Sequence, residues 1–145
     1  MSFFSSFFLS FMIRLLVPFQ GGDQQEVIVE LTNLRSTDGM ILASIYDDPE
    51  SFPKSHEMKE QKILSQIPGE RMTIHFDHLL PGTYAIAIMH DENGDSKMNF
   101  SFLGFPKEGY CFSNNVRPKF RKPTFDEAKF KLENRNIRIH IIMKY

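Results

Sequence analysis

The sequence predicts an all-β fold, an antiparallel sandwich of two face-to-face sheets with about seven strands. Three observations predict it. Apolar residues recur at every second position in short runs, turn-forming residues separate those runs, and helical periodicity is nearly absent. Such strands bury one face and leave the other to solvent, as antiparallel sheets do.

Each element can be read in order. Val27, Val29 and Leu31 alternate with Glu26, Glu30 and Thr32, with Ile28 apolar as well. After the turn signal Ser36-Thr37-Asp38-Gly39, the pattern resumes at Ile41, Ala43 and Ile45. A shorter run, Lys62–Ile67, supplies another strand before Pro68-Gly69. Met72, Ile74 and Phe76 alternate with Arg71, Thr73, His75 and Asp77. Tyr84, Ile86 and Ile88 follow the Pro81-Gly82 turn. Near the end, Phe130 and Leu132 alternate with lysines, and Ile137, Ile139, Ile141 and Met143 with Arg138, His140 and Lys144. Helical signals are confined to a short turn after Ser55 and to Thr124 with Glu127, which stand at capping-box spacing.

At 145 residues the chain forms one domain over residues 24–145, long enough for a single core. Residues 1–23 stand apart. They are apolar, with five Phe in the first eleven positions, and change to polar residues at Gln20-Gly21-Gly22-Asp23. The segment reads as signal-like, which predicts export to the periplasm or the extracellular space; residues 3–19 as a membrane-associated anchor are the alternative. Arg14 interrupts an apolar run of about 17 residues, short of the ~20 that a span requires. The single cysteine, Cys111, excludes an internal disulfide. Net charge is −1 but uneven: residues 1–116 carry 8 Lys and Arg against 15 Asp and Glu, whereas residues 117–145 carry 9 against 3.

The unusual chemistry lies between the strands, in an insertion from Asp91 to Glu127. A connection of this length in a small domain is commonly functional. Oxygen-bearing side chains alternate at Asp91, Asn93, Asp95 and Asn99. Together with the Lys97 carbonyl, they have the spacing by which a tight loop converges oxygens on a hard cation, here Ca²⁺. Glu92, Glu108 or a distant carbonyl would complete the set. The loop is not an EF-hand, because Ser96 stands at the sixth position and Phe102 at the twelfth, where Gly and Glu are required. A polar turn also fits the stretch, with Asn93-Gly94 reversing the chain and Asp91 and Asn93 bonding to their own backbone.

Other constellations point elsewhere. His90 beside Asp91, or paired with Cys111, suggests a hydrolase as an alternative function, although no nucleophile, oxyanion site and pocket are legible together. Cys111 lies between Tyr110 and Phe112, an apolar setting that disfavours the thiolate. The remaining histidines, His56, His75, His78 and His140, lack zinc-site spacing. Arg117, Lys119, Arg121 and Lys122 form a basic cluster around Phe120, a candidate contact for anionic lipid or polysaccharide of the envelope. Nucleic acid is not expected, since no RNP, KH or helix-turn-helix pattern accompanies the cluster. Phe100, Phe102, Phe105 and Phe112 are expected to fold the insertion down onto the sandwich. Ser113, Asn114 and Asn115 are expected to bond turn backbone.

The run His90-Asp91-Glu92-Asn93-Gly94-Asp95-Ser96-Lys97-Met98-Asn99 is followed in order by Phe102–Tyr110, by Phe112–Asn115 and by Phe120–Phe130. These motifs resemble the bacterial family called domain of unknown function 2141, over about Glu26 to Tyr145. The resemblance implies a small exported protein with an immunoglobulin-like or prealbumin-like sandwich and no assigned activity. Cys111 departs from the small residue expected there, and Asp95-Ser96 from an Asn-Gly-type pair. The stretch Phe76–Tyr84 also resembles the turn-to-strand element of carboxypeptidase-regulatory and collagen-adhesin B-type domains, which bears on fold alone. The expectation is an exported, non-enzymatic binding or structural module with a Ca²⁺-stabilised loop.

Overall fold

The computed structural model describes residues 23–54, 56–119 and 121–145; the apolar N-terminal segment lies outside them. Eight strands form two sheets. They are β1 (Gln25–Thr32), β2 (Met40–Tyr46), β3 (Glu60–Leu64), β4 (Arg71–Leu79), β5 (Gly82–Asp91), β6 (Gly109–Phe112), β7 (Phe130–Leu132) and β8 (Ile137–Ile142). One sheet has the order β4-β1-β8; the other has β3-β2-β5-β6, with β7 also paired to β5. The all-β sandwich expected from the alternation is therefore present.

The structure differs from the sequence reading in three respects. The β1–β8 pair is parallel, Val27 facing Ile137 and Leu31 facing Ile141, because the chain crosses from β7 in one sheet to the edge of the other. The Asp91–Glu127 stretch also holds an eighth strand, β6, whose Cys111 pairs with Ile88 of β5. Finally, the strand expected over Lys62–Ile67 is shifted to Glu60–Leu64, so Glu60 belongs to β3 rather than to a preceding turn.

Residue parity explains the packing. On β1, Val27, Val29 and Leu31 point inward and are fully buried. Beside them in the same sheet lie Ile74 and Phe76 of β4 and Ile141 of β8, and they share one core with Ile41, Ala43 and Ile45 of β2 and Tyr84, Ile86 and Ile88 of β5 in the other sheet. Alternate residues of β5, Ala85 and Ala87, face the opposite side and join a second cluster with Tyr46, Phe52, Phe112 and Phe125. Small residues at Ala85 and Ala87 let these rings approach the sheet. Helix α1 (Phe125–Ala128) closes that cluster, and the Glu127 carboxylate accepts the Thr124 N–H at 2.8 Å, as the capping-box spacing predicts.

Ser113 ties these parts together from a fully buried position. Its hydroxyl accepts the Ile86 N–H at 2.9 Å and donates to the Ala128 carbonyl at 2.6 Å. Asn114 and Asn115 adopt left-handed backbone, and their side-chain amides donate to the Lys129 and His140 carbonyls. The trio thus bonds backbone of β5, of α1 and its C-cap, and of β8, rather than the turn backbone expected of it.

Among the described residues, both sheets and both clusters lie within residues 25–143. The unit from Asp23 onward therefore has its own core and can fold by itself. Among the described residues, no helix is long and apolar enough to cross a membrane. β1 starts opposite the end of β4, beside the start of β5. Asp91, at the far end of β5, therefore lies at the opposite pole from Gln25, and that pole carries the candidate site.

Candidate functional site

β5 delivers two buried polar residues to this pole, His90 and Asp91. His90 is enclosed: its Nε2 lies 2.9 Å from the Asp38 carbonyl and its Nδ1 2.6 Å from the Tyr145 hydroxyl. A carbonyl can only accept, so Nε2 carries a proton, and in the neutral ring Nδ1 accepts from Tyr145. Both ring nitrogens are engaged in holding the β1–β2 connection and the C-terminus. Gly39 makes this crossing possible, with φ +68° and a position where a Cβ would lie 1.9 Å from the Asp91 carbonyl oxygen.

Asp91 organises the loop that follows. Its Oδ1 accepts the Gly94 N–H at 2.8 Å and the Asp95 N–H at 3.3 Å; its Oδ2 accepts the Ser96 N–H at 2.7 Å. Three amides thus converge on one carboxylate, as in the polar-turn reading. Asp95 repeats the arrangement outside, accepting the Lys97 N–H at 2.8 Å and the Asn99 side-chain amide at 3.0 Å. These donors hold the Asp95 carboxyl below its ordinary range, the Asn99 amide foremost. Asn93 donates to Asn99 Oδ1 at 2.7 Å.

Glu108 closes the site from the other side. It lies one residue before β6, and the chain returns it to the loop through a hairpin spanning Asn99–Lys107. Glu108 is 4% exposed, and its Oε2 accepts the Asn99 N–H at 3.0 Å. Its Oε1 is buried and has no hydrogen-bond partner among the described residues. One carboxylate oxygen from each of Asp91, Asp95 and Glu108 lies within 4.8 Å of the others.

The sequence-predicted set is therefore partly assembled. Asp91 and Asp95 converge, and Asn99 and Asn93 border them, whereas the backbone N–H of Lys97 is turned to Asp95. Of the two carboxylates expected to complete the set, Glu108 is the one that arrives. Glu92 is held elsewhere by Arg35, whose Nε lies 3.0 Å from Oε1, and by Ser36 at 2.9 Å; chiefly the Arg35 bond keeps its carboxyl low.

Cys111 is almost fully buried on β6, and burial pushes its thiol well above the ordinary range. That is the reverse of what an activated nucleophile requires. On the outer face of the three-stranded sheet, Glu26, His75 and Asp77 form a second juxtaposition, with His75 Nδ1 bonded to Glu26. His75 and Asp77 share a face of β4 by alternation, and cross-strand register adds Glu26, which no spacing in the sequence signals.

The basic cluster divides. Arg121 is bound in bidentate fashion by Glu127, at 2.8 and 2.7 Å, which drives the Glu127 carboxyl down to about 2. Arg117 and Lys119 instead line a cleft of about 350 Å³ with Tyr110, Phe112 and Lys144. Phe120 lies outside the described residues.

The aromatic insertion corrects an expectation. Phe112 packs in the second cluster, 6.0 Å from Phe52 between ring centroids. Phe100, Phe102 and Phe105 do not fold down onto the sandwich and are exposed. The two faces of β5 are occupied by the two core clusters, and these three rings join neither.

No curated protein and no solved structure matches this chain. A family match does cover residues 29–140, which include β2 to β7 whole, the second half of β1, the first four residues of β8, the loop from Asp91 to Glu108 and the basic cluster. The chain accordingly belongs to the bacterial family described as "Uncharacterized protein conserved in bacteria (DUF2141)".

Proposed function

We propose that this protein is an exported, non-enzymatic binding module whose Asp91–Glu108 loop is ordered by Ca²⁺. The observation that carries the reading is the buried Glu108 carboxylate, grouped with Asp91 and Asp95 and left with an unpartnered Oε1. A carboxylate can accept at about four lone-pair positions. Asp91 and Asp95 have most of theirs filled by amides, whereas Glu108 accepts one bond. Leaving a buried carboxylate oxygen unmatched is costly, and a cation relieves that cost.

The donors decide which cation. They are carboxylates, with the Asn93 and Asn99 amides alongside, and neither imidazole nor thiolate joins them. Hard oxygen ligands on a loop suit Ca²⁺, which tolerates irregular geometry. Asp91, Asp95 and Glu108 would supply charge, and the Asn99 amide would supply oxygen after rotation about its last torsion. The module's role is to hold the Asn99–Lys107 hairpin in a fixed pose for contact with a partner.

Calorimetric titration of residues 23–145 with CaCl₂ tests the reading, with Mg²⁺ in parallel. Binding heat together with a thermal shift reversed by chelator is the expected result. Absence of both rejects it.

A second reading attaches to the cleft. Arg117, Lys119 and Lys144 line it without a carboxylate, beside Tyr110 and Phe112, a chemistry that fits an acidic polysaccharide. Binding of the R117E/K119E variant to a polyuronate at wild-type strength would reject it.

A further inference from the structure

Four large apolar side chains stand in solvent within six residues: Phe100 at 56% exposure, Phe102 at 104%, Leu103 at 77% and Phe105 at 64%. The peptide that carries them is built as a hairpin. Phe100 and Pro106 form an antiparallel bridge, and the Ser101 N–H donates to the Phe105 carbonyl at 2.7 Å. The Gly104 N–H closes the turn on the Ser101 carbonyl at 2.9 Å. Gly104 itself has φ +80°, left-handed backbone that suits glycine. Lys107 N–H reaches the Asn99 carbonyl at 2.9 Å, and Arg35 holds the Lys107 carbonyl at 3.0 Å. The exposed side chains are thus presented by hydrogen-bonded backbone braced to the sandwich. Contiguous apolar exposure of this kind marks an interaction surface.

We propose that the Asn99–Lys107 hairpin inserts its Phe102–Leu103 tip into the interface of an anionic lipid bilayer, and that Ca²⁺ at Asp91, Asp95 and Glu108 enables the insertion. The proposal rests on the cation reading above. The shape of the tip favours lipid: Phe102 and Leu103 are exposed on a turn, and a bilayer takes up such a tip without a matching hollow. Charge favours it as well. Lys97 and Lys107 flank the two stems of the hairpin. The loop Asp91–Glu108 with its partner Arg35 has four carboxylates and three cations, a formal charge of −1 that a divalent ion turns to +1. Without the ion, the base of the hairpin repels an anionic surface; with it, the same base is attracted. Glu108 couples the two events through its bond to the Asn99 N–H, the first residue of the hairpin.

Vesicle co-sedimentation tests the proposal, using residues 23–145 and the full chain in parallel so that any contribution of residues 1–22 is subtracted. Vesicles of phosphatidylcholine alone are compared with vesicles containing phosphatidylglycerol, in CaCl₂ or chelator, for wild type and the F102S/L103S variant. Binding to the anionic vesicles is expected to fall about 30-fold in chelator, from the loss of two charges near the surface. The double substitution is expected to weaken it roughly 100-fold through lost apolar burial. Calorimetric Ca²⁺ binding and melting temperature of the variant should match wild type. Ca²⁺ heat without vesicle binding overturns this proposal alone, as does equal binding by wild type and variant. A Ca²⁺-bound dimer that the double substitution dissolves also overturns it, by assigning the tip to a second copy. Absence of Ca²⁺ heat overturns the cation reading and, with it, the gating claimed here.

Discussion

The Tyr145 hydroxyl donates to the buried Nδ1 of His90 at 2.6 Å, fixing the last residue of the chain to the end of the longest strand. The same hydroxyl accepts the Arg35 N–H at 3.1 Å, and the Arg35 guanidinium lies over the Tyr145 ring at 4.1 Å. Three separate segments therefore meet at one phenol, directly behind the loop that holds Asp91. A histidine next to an aspartate in the sequence suggested chemistry, and the structure assigns both of its nitrogens to this joint.

Tyr145→Phe tests the joint. It keeps the ring beneath Arg35 but leaves His90 Nδ1 buried without a donor. The expected loss is about 1–3 kcal/mol of unfolding free energy, the cost of an unsatisfied buried polar group. Urea denaturation measures it, and an unchanged midpoint would mean that water replaces the hydroxyl.

Cys111 should behave as a packing residue. Burial raises its thiol, so thiolate is scarce at pH 8 and the sulfur is shielded. Native protein is expected to react with a thiol-directed disulfide reagent only as fast as it unfolds, and denatured protein to react at once. Rapid stoichiometric labelling of the native state would revive a cysteine nucleophile.

Much of the sandwich could be read from alternation, because Ile74 and Phe76, or Ile139 and Ile141, report on one face without knowledge of any partner. Long-range pairing could not. The parallel match of Val27 with Ile137 depends on a crossover, and β6 has only four residues, Gly-Tyr-Cys-Phe, with no room for a period. The site was legible to the same degree. Alternate oxygens located Asp91 and Asp95, but the arrival of Glu108 required the hairpin that brings the chain back nine residues later. Apolarity misled at Phe100, Phe102 and Phe105, since a hydrophobic side chain is buried only where a face remains to receive it.

Ser96 occupies backbone that suits glycine. Its φ is +60°, and its N–H completes the amide set around Asp91 at 2.7 Å. A side chain in this region costs roughly 1–2 kcal/mol. Ser96→Gly should therefore stabilise the protein by up to about 1 kcal/mol, less than the full strain because glycine also loses more freedom on folding. Thermal melts in chelator provide the measurement, and a fall in melting temperature would show that the Ser96 hydroxyl has a role of its own.

Glu108→Gln separates a carboxylate needed for a cation from one needed for the fold. Glutamine keeps an oxygen for the Asn99 N–H and has nearly the same volume, while removing a buried charge whose second oxygen has no partner. Its new amide donor would take the place of the unpartnered oxygen, within the group that Asp91 and Asp95 share. In chelator the variant should therefore be at least as stable as wild type, by about 1–3 kcal/mol if the full desolvation cost is recovered. With Ca²⁺ at 100 times the wild-type dissociation constant, wild type gains about 2.7 kcal/mol and the variant gains little, so the order of stabilities narrows or reverses. The sign of the difference carries the information. A variant less stable than wild type in chelator would mean that Glu108 serves the fold as a charge, with no cation required to explain it.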